Sequence, residues 1–374
     1  MAVTVKAVNS RREMREFIYL PEKLHARHQG WVPPIWSDEN RIFDRTTNLS
    51  HQYCDSVYAL AYESGKIAGR IAGIINKRYN QFQNVSYARF GYLESTDNPA
   101  VTSAMTNWVE HWAKDKGMTK IVGPMGFTEE DPEGFMIEGF DQVPNLATYQ
   151  NFDYLNKHLE LLGYSKEVDY VVYQVHFTEG FSERYTRHYN RVCNSKAFHL
   201  VDFRTRRQVE RYIKPIFRLM NDCFAEIYGY SPLEDEEMNQ LAGRYMPIID
   251  PRFIKVAVNN EQEVVGFILG IPSIATGLIK AKGRLTPWGI YHILRARKTS
   301  TKLDTYIGCV KDTCRNLGVD TLLGYSSMES GMKAGFEWLD GHHQLELNHR
   351  IRAEMEFVGG KITKRYRIYQ KSLV

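Results

Sequence analysis

The chain has 374 residues, 43% of them apolar and 25% charged, and a net charge of +4. That length suits two domains of ordinary size, and so mild a charge gives no reason to expect a nucleic-acid partner. Its five cysteines, Cys54, Cys193, Cys223, Cys309 and Cys314, include no Cys-x-x-Cys pair and no zinc spacing, so a reduced, cytoplasmic protein without a metal site is expected. His342-His343 has no companion ligand motif.

In chain order, residues 57–62 alternate as a strand, Glu63-Ser64-Gly65-Lys66 turns, and 67–75 return as a second strand. A strand over 88–93 follows. Asp97-Asn98-Pro99 then opens a helix with apolar residues at Val101, Met105, Trp108, Val109 and Trp112, which stops at Gly117. Residues 119–122 read as a strand, 154–162 as a helix, and 168–175 as a strand. The order then repeats. Strands are predicted over 253–258, 264–270 and 305–310, a helix over 319–333, a strand over 343–347, a helix over 350–357 and a last strand over 362–369.

Between the 305–310 strand and the 319–333 helix lies a junction suited to an anion. The first N–H groups of a helix lack partners inside it, and its dipole is positive there. Arg315 adds a charge, and Gly318 lets backbone approach a ligand. Arg315-Asn316-Leu317-Gly318-Val319 resembles the pyrophosphate loop of the acyl-CoA N-acyltransferase (GNAT) superfamily. Asp320 stands where that family has a small residue, and Asp312 where proline is common. Four further stretches, 30–34, 69–76, 123–127 with 138–141, and 366–369, resemble a bacterial tandem-lobe branch that includes ceramide-synthase-like proteins. This resemblance runs over nearly the whole chain.

The resemblance implies an α/β (α+β) fold of two tandem lobes, each a mixed, mostly antiparallel twisted sheet flanked by helices. They would occupy residues 1–180 and 181–374, with a boundary near Thr178-Glu179-Gly180. It also implies acyl-CoA, acetyl-CoA or a longer chain, as cosubstrate. Val310, Arg315, Asn316, Leu317, Gly318, Val319 and Asn348 would hold it, although Asn348 equally suits a helix cap. The matching junction of the first lobe, residues 93–99, has no Gly or Arg and carries Glu94 and Asp97. That lobe is therefore expected not to bind CoA.

The acceptor would be a small-molecule or lipid amine, including a sphingoid-type amine, and it must lose a proton before attacking a thioester. In this fold a carboxylate on the strand beside the CoA strand, or a water it orders, commonly does this, which implies Glu346, between two leucines at the end of the strand read next to 305–310. The 123–141 loop carries Glu129, Glu130, Asp131, Glu133, Glu138 and Asp141, and would attract an ammonium group; Asp131 and Glu138 are its candidate bases. A solvated acidic loop is the plainer reading. His51 is an alternative base, although a lone histidine more often serves structure; Tyr366 and Tyr369 read as packing residues, and no general acid is assigned. Two other readings stay open: a transferase of the Fem type using aminoacyl-tRNA, and a non-catalytic lipid- or protein-binding module.

From Val264 to Lys302 there is no acidic residue, while Lys280, Lys282, Arg284, Arg295, Arg297, Lys298 and Lys302 surround Leu285, Trp288, Ile290, Tyr291, Ile293 and Leu294. Peripheral contact of residues 280–302 with an anionic membrane at its inner face is expected. The alternatives are contact with the CoA 3′-phosphate and a solvated basic face. The apolar run 264–279 is interrupted by glycines and Pro272, and is shorter than the roughly 20 residues a spanning helix needs.

Overall fold

A computed structural model describes residues 2–128, 131–145, 148, 150–177 and 180–374. The strands of the first half are β1 (Val3–Ala7), β2 (Cys54–Glu63), β3 (Lys66–Asn76), β4 (Tyr87–Ser95), β5 (Lys120–Gly123), β6 (Phe135–Glu138) and β7 (Ser165–His176). Those of the second are β8 (Phe198–Leu200), β9 (Ile254–Asn259), β10 (Val264–Pro272), β11 (Lys302–Val310), β12 (Trp338–Asp340), β13 (Gln344–Leu345) and β14 (Lys361–Ser372). All join one sheet in the order β1-β2-β3-β4-β5-β14-β7-β12-β11-β10-β9-β8, with β13 on β7 and β6 on β14. Pairing is antiparallel except at β4–β5 and β11–β12.

The halves interlock. β14 lies between β5 and β7, setting Tyr369 opposite Gly123 and Tyr366 opposite Tyr170. β7 in turn pairs with β12, Leu339 opposite Val175. A strand from the second half thus completes the first, and the last long strand of the first half edges the second. Lys364, Tyr366 and Ile368 alternate into the interior along β14, and Tyr369 is buried too after the register shift at Ile368/Tyr369. The loop reading of 123–141 is corrected in part, because β6 forms within it and pairs with β14. Of the boundary tripeptide, Thr178 and Glu179 lie outside the described residues.

Each half is layered helix–sheet–helix. In the first, the helix Pro99–Asp115 turns Val101, Met105, Val109 and Ala113 onto Ala59, Ala61 and Ile71. Asn98 caps it by accepting from the Ala100 N–H at 3.0 Å. The opposite face of that half is covered by Phe17, Ile18, Leu20 and Trp36. In the second, the helix Arg206–Phe224 packs Val209, Ile216 and Met220 on β9 and β10, and Val319, Leu322 and Leu323 cover the other face. Close helix contact needs bare backbone below it. A Cβ on Gly73 would meet Val109 and Trp112 at 2.9 Å, and one on Gly266 would meet Leu323 at 2.9 Å.

Candidate functional site

β11 and β12 pair over three positions only: Lys302 with Trp338, Leu303 with Leu339, and Asp304 with Asp340. Beyond these they part. β11 runs on to Val310 with β10 as its strand partner, shifting register beside Leu269 and Gly270. The chain after β12 crosses to β7, where Gln344 and Leu345 pair with Val171 and Tyr170. A fork opens between the two. On its β11 edge, residues 305–310 have no strand among the described residues to receive their outward backbone groups.

Aromatic rings and imidazoles line the fork. The hydroxyls of Tyr245 and Tyr306 are 2.8 Å apart, and the Tyr306 ring is 6.0 Å from that of His342. The His343 ring lies 4.4 Å from Tyr366 and 5.1 Å from Tyr170. Both ring nitrogens of His343 are closed to solvent and have no hydrogen-bond partner among the described residues. Orphaned buried polar atoms are rare in a folded protein, so these two call for an explanation such as a ligand. Burial holds His342 down at about 4 and His343 well below the ordinary histidine value; the latter also feels His342 and Lys364. Both imidazoles are neutral at pH 7, and each keeps one nitrogen able to accept a proton.

Charge is packed beneath the fork. Lys364 Nζ lies 3.0 and 3.2 Å from the two carboxylate oxygens of Asp340, and both side chains are fully buried. Asp304 sits in register beside Asp340. Burial, then the Asp340 charge, push Asp304 up to about 7, against contact with the Ser273 side chain. Burial likewise pushes Glu133 up to about 7, where it meets the Tyr170 hydroxyl.

At its far end β11 enters the turn Asp312–Cys314 and then the helix Val319–Lys333. Gly318 precedes that helix at φ +89° and offers no side-chain cap, so no cap competes for the first amides. A Cβ there would lie 2.2 Å from Val192 Cγ2. Asn316 is also left-handed, at φ +62°. Arg315 pairs with Asp312, and Asp320 is met by Arg350 at 3.4 Å. Both acidic departures from the family loop thus have an arginine partner. Asn348 caps the helix His349–Phe357, its Oδ1 accepting from the Ile351 N–H at 3.2 Å. Arg350 on the same helix reaches Asp320, which brings Asn348's helix against the loop. Val310 ends β11, its carbonyl facing the Cys223 thiol at 3.5 Å, and Leu317 is exposed.

The three carboxylates read as bases are otherwise engaged. Glu346 is not on a strand beside β11, a correction to that expectation. β13 is only two residues long and lies on β7; Glu346 follows it and pairs with Lys166 and with Arg365, the latter at 3.4 Å. Arg365 also holds Glu138 at 3.0 Å. Asp131 caps backbone instead, accepting from the Phe127 N–H at 2.7 Å and the Thr128 N–H at 3.2 Å, and burial raises it above the usual aspartate value. Glu129 and Glu130 lie outside the described residues. His51 packs against Phe127 with its Nε2 3.2 Å from the Ile42 carbonyl oxygen. The imidazoles and Asp304 were missed because the residues that meet there are far apart in sequence. The usable signal was an acidic residue within each of two apolar strands, followed in one by Gly-His-His.

The matching fork of the first half is filled. β4 and β5 pair at 87–89 with 120–122, and the Met125 N–H then donates to the Phe90 carbonyl at 2.9 Å. The Met125 carbonyl sits 2.2 Å from where a Gly91 Cβ would be. Further along β4, Glu94 is buried 3.1 Å from His25, whose ring stacks on Trp31 and Phe152.

No family model matches the chain. A protein of Caulobacter vibrioides named bacterial ceramide synthase is 24% identical over 379 residues, covering 99% of this chain and 98% of its own. Protein YghO of Escherichia coli is 22% identical, covering 99% and 95%. Among solved structures, a tandem GNAT protein from the clavulanic acid biosynthesis pathway superposes with a TM-score of 0.57 at 10% identity, over 100% of this chain and 99% of that one. A GCN5-related N-acetyltransferase from Sphaerobacter thermophilus gives 0.50 at 12% identity, over 84% and 80%. With its forked parallel strand pairs and layered halves, the chain has the tandem GNAT fold.

Proposed function

We propose that the chain is an N-acyltransferase that moves an acyl group from acyl-CoA to a primary amine in the β11/β12 fork. The observation that carries this reading is the fork itself: unpaired strand edge, neutral imidazoles and an uncapped helix start lie along one strand. The pyrophosphate would rest on the amides of Gly318 and Val319 near Arg315, and the pantetheine would pair with the open edge of 305–310. The amine enters at His342 and His343. A desolvated cleft disfavours an ammonium ion, so the amine enters neutral. Its nitrogen bonds to the thioester carbonyl carbon, and a neutral imidazole takes the far more acidic proton that the nitrogen carries once the C–N bond has formed. The oxyanion is met by a β11 amide, and the C–S bond breaks to release CoA thiolate. The Tyr245–Tyr306 hydroxyl pair is the proton source for that thiolate. The name of the Caulobacter relative supports a long acyl chain and a sphingoid-type amine as substrates.

The test is thiol release from acetyl-CoA and palmitoyl-CoA with sphinganine, in the wild type and in His343→Ala. The expected result is sphinganine-dependent thiol release and an amide product by mass spectrometry, reduced about 100-fold or more in the variant. Wild-type activity that His343→Ala and His342→Ala both leave intact would remove the imidazoles from the chemistry. Protein that melts normally but neither binds nor turns over any acyl-CoA would remove the proposal.

A further inference from the structure

Between β10 and β11 the chain makes a helical hairpin, Ala275–Ala281 followed by Pro287–Thr299. The second helix is inside out. Its buried residues are the small Gly289 and Ala296. Gly277 of the first helix packs against Ala296 so closely that a Cβ there would lie 2.8 Å from the Ala296 Cβ. Its large apolar side chains point the other way: Trp288 is 75% exposed, Leu294 57%, Tyr291 48% and Ile290 44%, with Leu285 beside them at 49%. An amphipathic helix serving only the core would show the reverse. So concentrated an apolar face marks an interaction surface.

The face is held firmly. The Trp36 indole N–H donates to the Lys282 carbonyl at 2.8 Å, and Arg284 grips Glu22 through both of its terminal nitrogens. Its charge is of one sign. Arg284 pairs with Glu22 and Arg297 with Asp250. Lys280, Arg295 and Lys298 are exposed and have no ion-pair partner among the described residues, while Lys282, also exposed, lies near enough to Glu22 to help lower its carboxyl. Exposed aromatic and aliphatic side chains ringed by unpaired cations match the interface of an anionic bilayer: rings at headgroup level, cations on lipid phosphates. A protein partner would need acidic residues around its own apolar patch, and this chain's described surface offers no such self-complement at 285–294.

We infer that the 275–299 hairpin docks the protein on an anionic lipid surface. Both ends of the hairpin are rooted at the fork. The Ser273 N–H donates to the Lys302 carbonyl at 3.0 Å, and Ser273 also touches Asp304. The docked face therefore adjoins the end of β11 remote from Arg315 and Gly318. Docking would hold the paired base of the fork toward the bilayer and leave its open end, near Arg315 and Gly318, to a soluble donor. The docking stands on the surface alone; only the donor's approach rests on the acyl-transfer proposal.

The experiment is flotation with vesicles of phosphatidylcholine alone or with about 30% phosphatidylglycerol, whose negative surface attracts basic side chains. Wild type is compared with Trp288→Ser/Leu294→Ser and with Arg295→Glu/Lys298→Glu. Wild type should float with the anionic vesicles and be released by salt. Each double variant should bind about tenfold more weakly or worse, with an unchanged melting temperature because all four side chains are exposed. Equal flotation of wild type and variants would overturn the inference. So would a wild type that ignores anionic vesicles, or one that forms a dimer in sedimentation which Trp288→Ser/Leu294→Ser dissolves. None of these readouts involves turnover, so they leave the acyl-transfer proposal to its own assay.

Discussion

Replacing Lys364 by Met tests the charge packed beneath the fork. The Lys364 ammonium is 1% exposed and touches both oxygens of Asp340, itself 2% exposed. Asp304 lies in register beside Asp340. Met matches the lysine stem but takes away the cation, leaving two carboxyls facing each other in a dry interior. Breaking a buried pair from one side costs about 3–5 kcal/mol. For a chain of this size that lowers the melting temperature by roughly 4–6 °C, at about 1.3 °C per kcal/mol. The loss should grow with pH. The two carboxyls of the variant stay protonated further into the neutral range, so its folded form holds more protons than its unfolded form, and stability falls as pH rises. Thermal melts at pH 5 and pH 8 should therefore show the larger gap at pH 8. Adding Asp340→Leu should recover most of the loss, because an apolar pair can replace an ionic one at little cost. A Lys364→Met protein melting within 2 °C of wild type at pH 8, or hurt more at pH 5, would refute the reasoning.

Asp304→Asn should stabilise the protein at pH 8 and flatten its pH profile. Burial raises the folded-state value of Asp304 to about 7, so wild type loses stability as pH climbs from the unfolded value toward 7; melts from pH 4 to 8 check this. Gly318→Ala should cost about 1–3 kcal/mol, since the backbone is left-handed there and the new methyl meets Val192; denaturant titration reads it. Glu346→Gln should change the rate of thiol release less than threefold and leave its pH profile in place, because that carboxylate serves Lys166 and Arg365. A collapse of activity in this variant would restore Glu346 as the base.

Local signals carried well from sequence to structure. The helix Val319–Lys333 has the bounds read from its apolar spacing, and Asn98 and Asn348 cap helices as their positions imply. The two-half architecture follows from strand–helix order. What the spacing does not carry is partnership. Nothing near 361–372 says that this strand goes between β5 and β7, because strand pairing is decided by distant residues. The strand read over 343–347 shrank to Gln344–Leu345 for the same reason: its partner is β7, and His342 and His343 turn into the fork instead. Acidic residues drew attention as bases because they are conspicuous in sequence. Their role depends on which cations fold back on them, and here Arg365 takes two of the three.

The place of β14 also orders the making of the protein. A ribosome delivers β1 to β5 and β7 long before the strand that lies between β5 and β7. Until it emerges, those two edges stand apart with a strand-wide gap and the apolar side chains beside it uncovered. The first half cannot mature while the second is still being made. Nascent chains therefore carry an open sheet edge for most of their synthesis, and fragments that stop before residue 361 should be targets for chaperones and proteases rather than idle half-proteins.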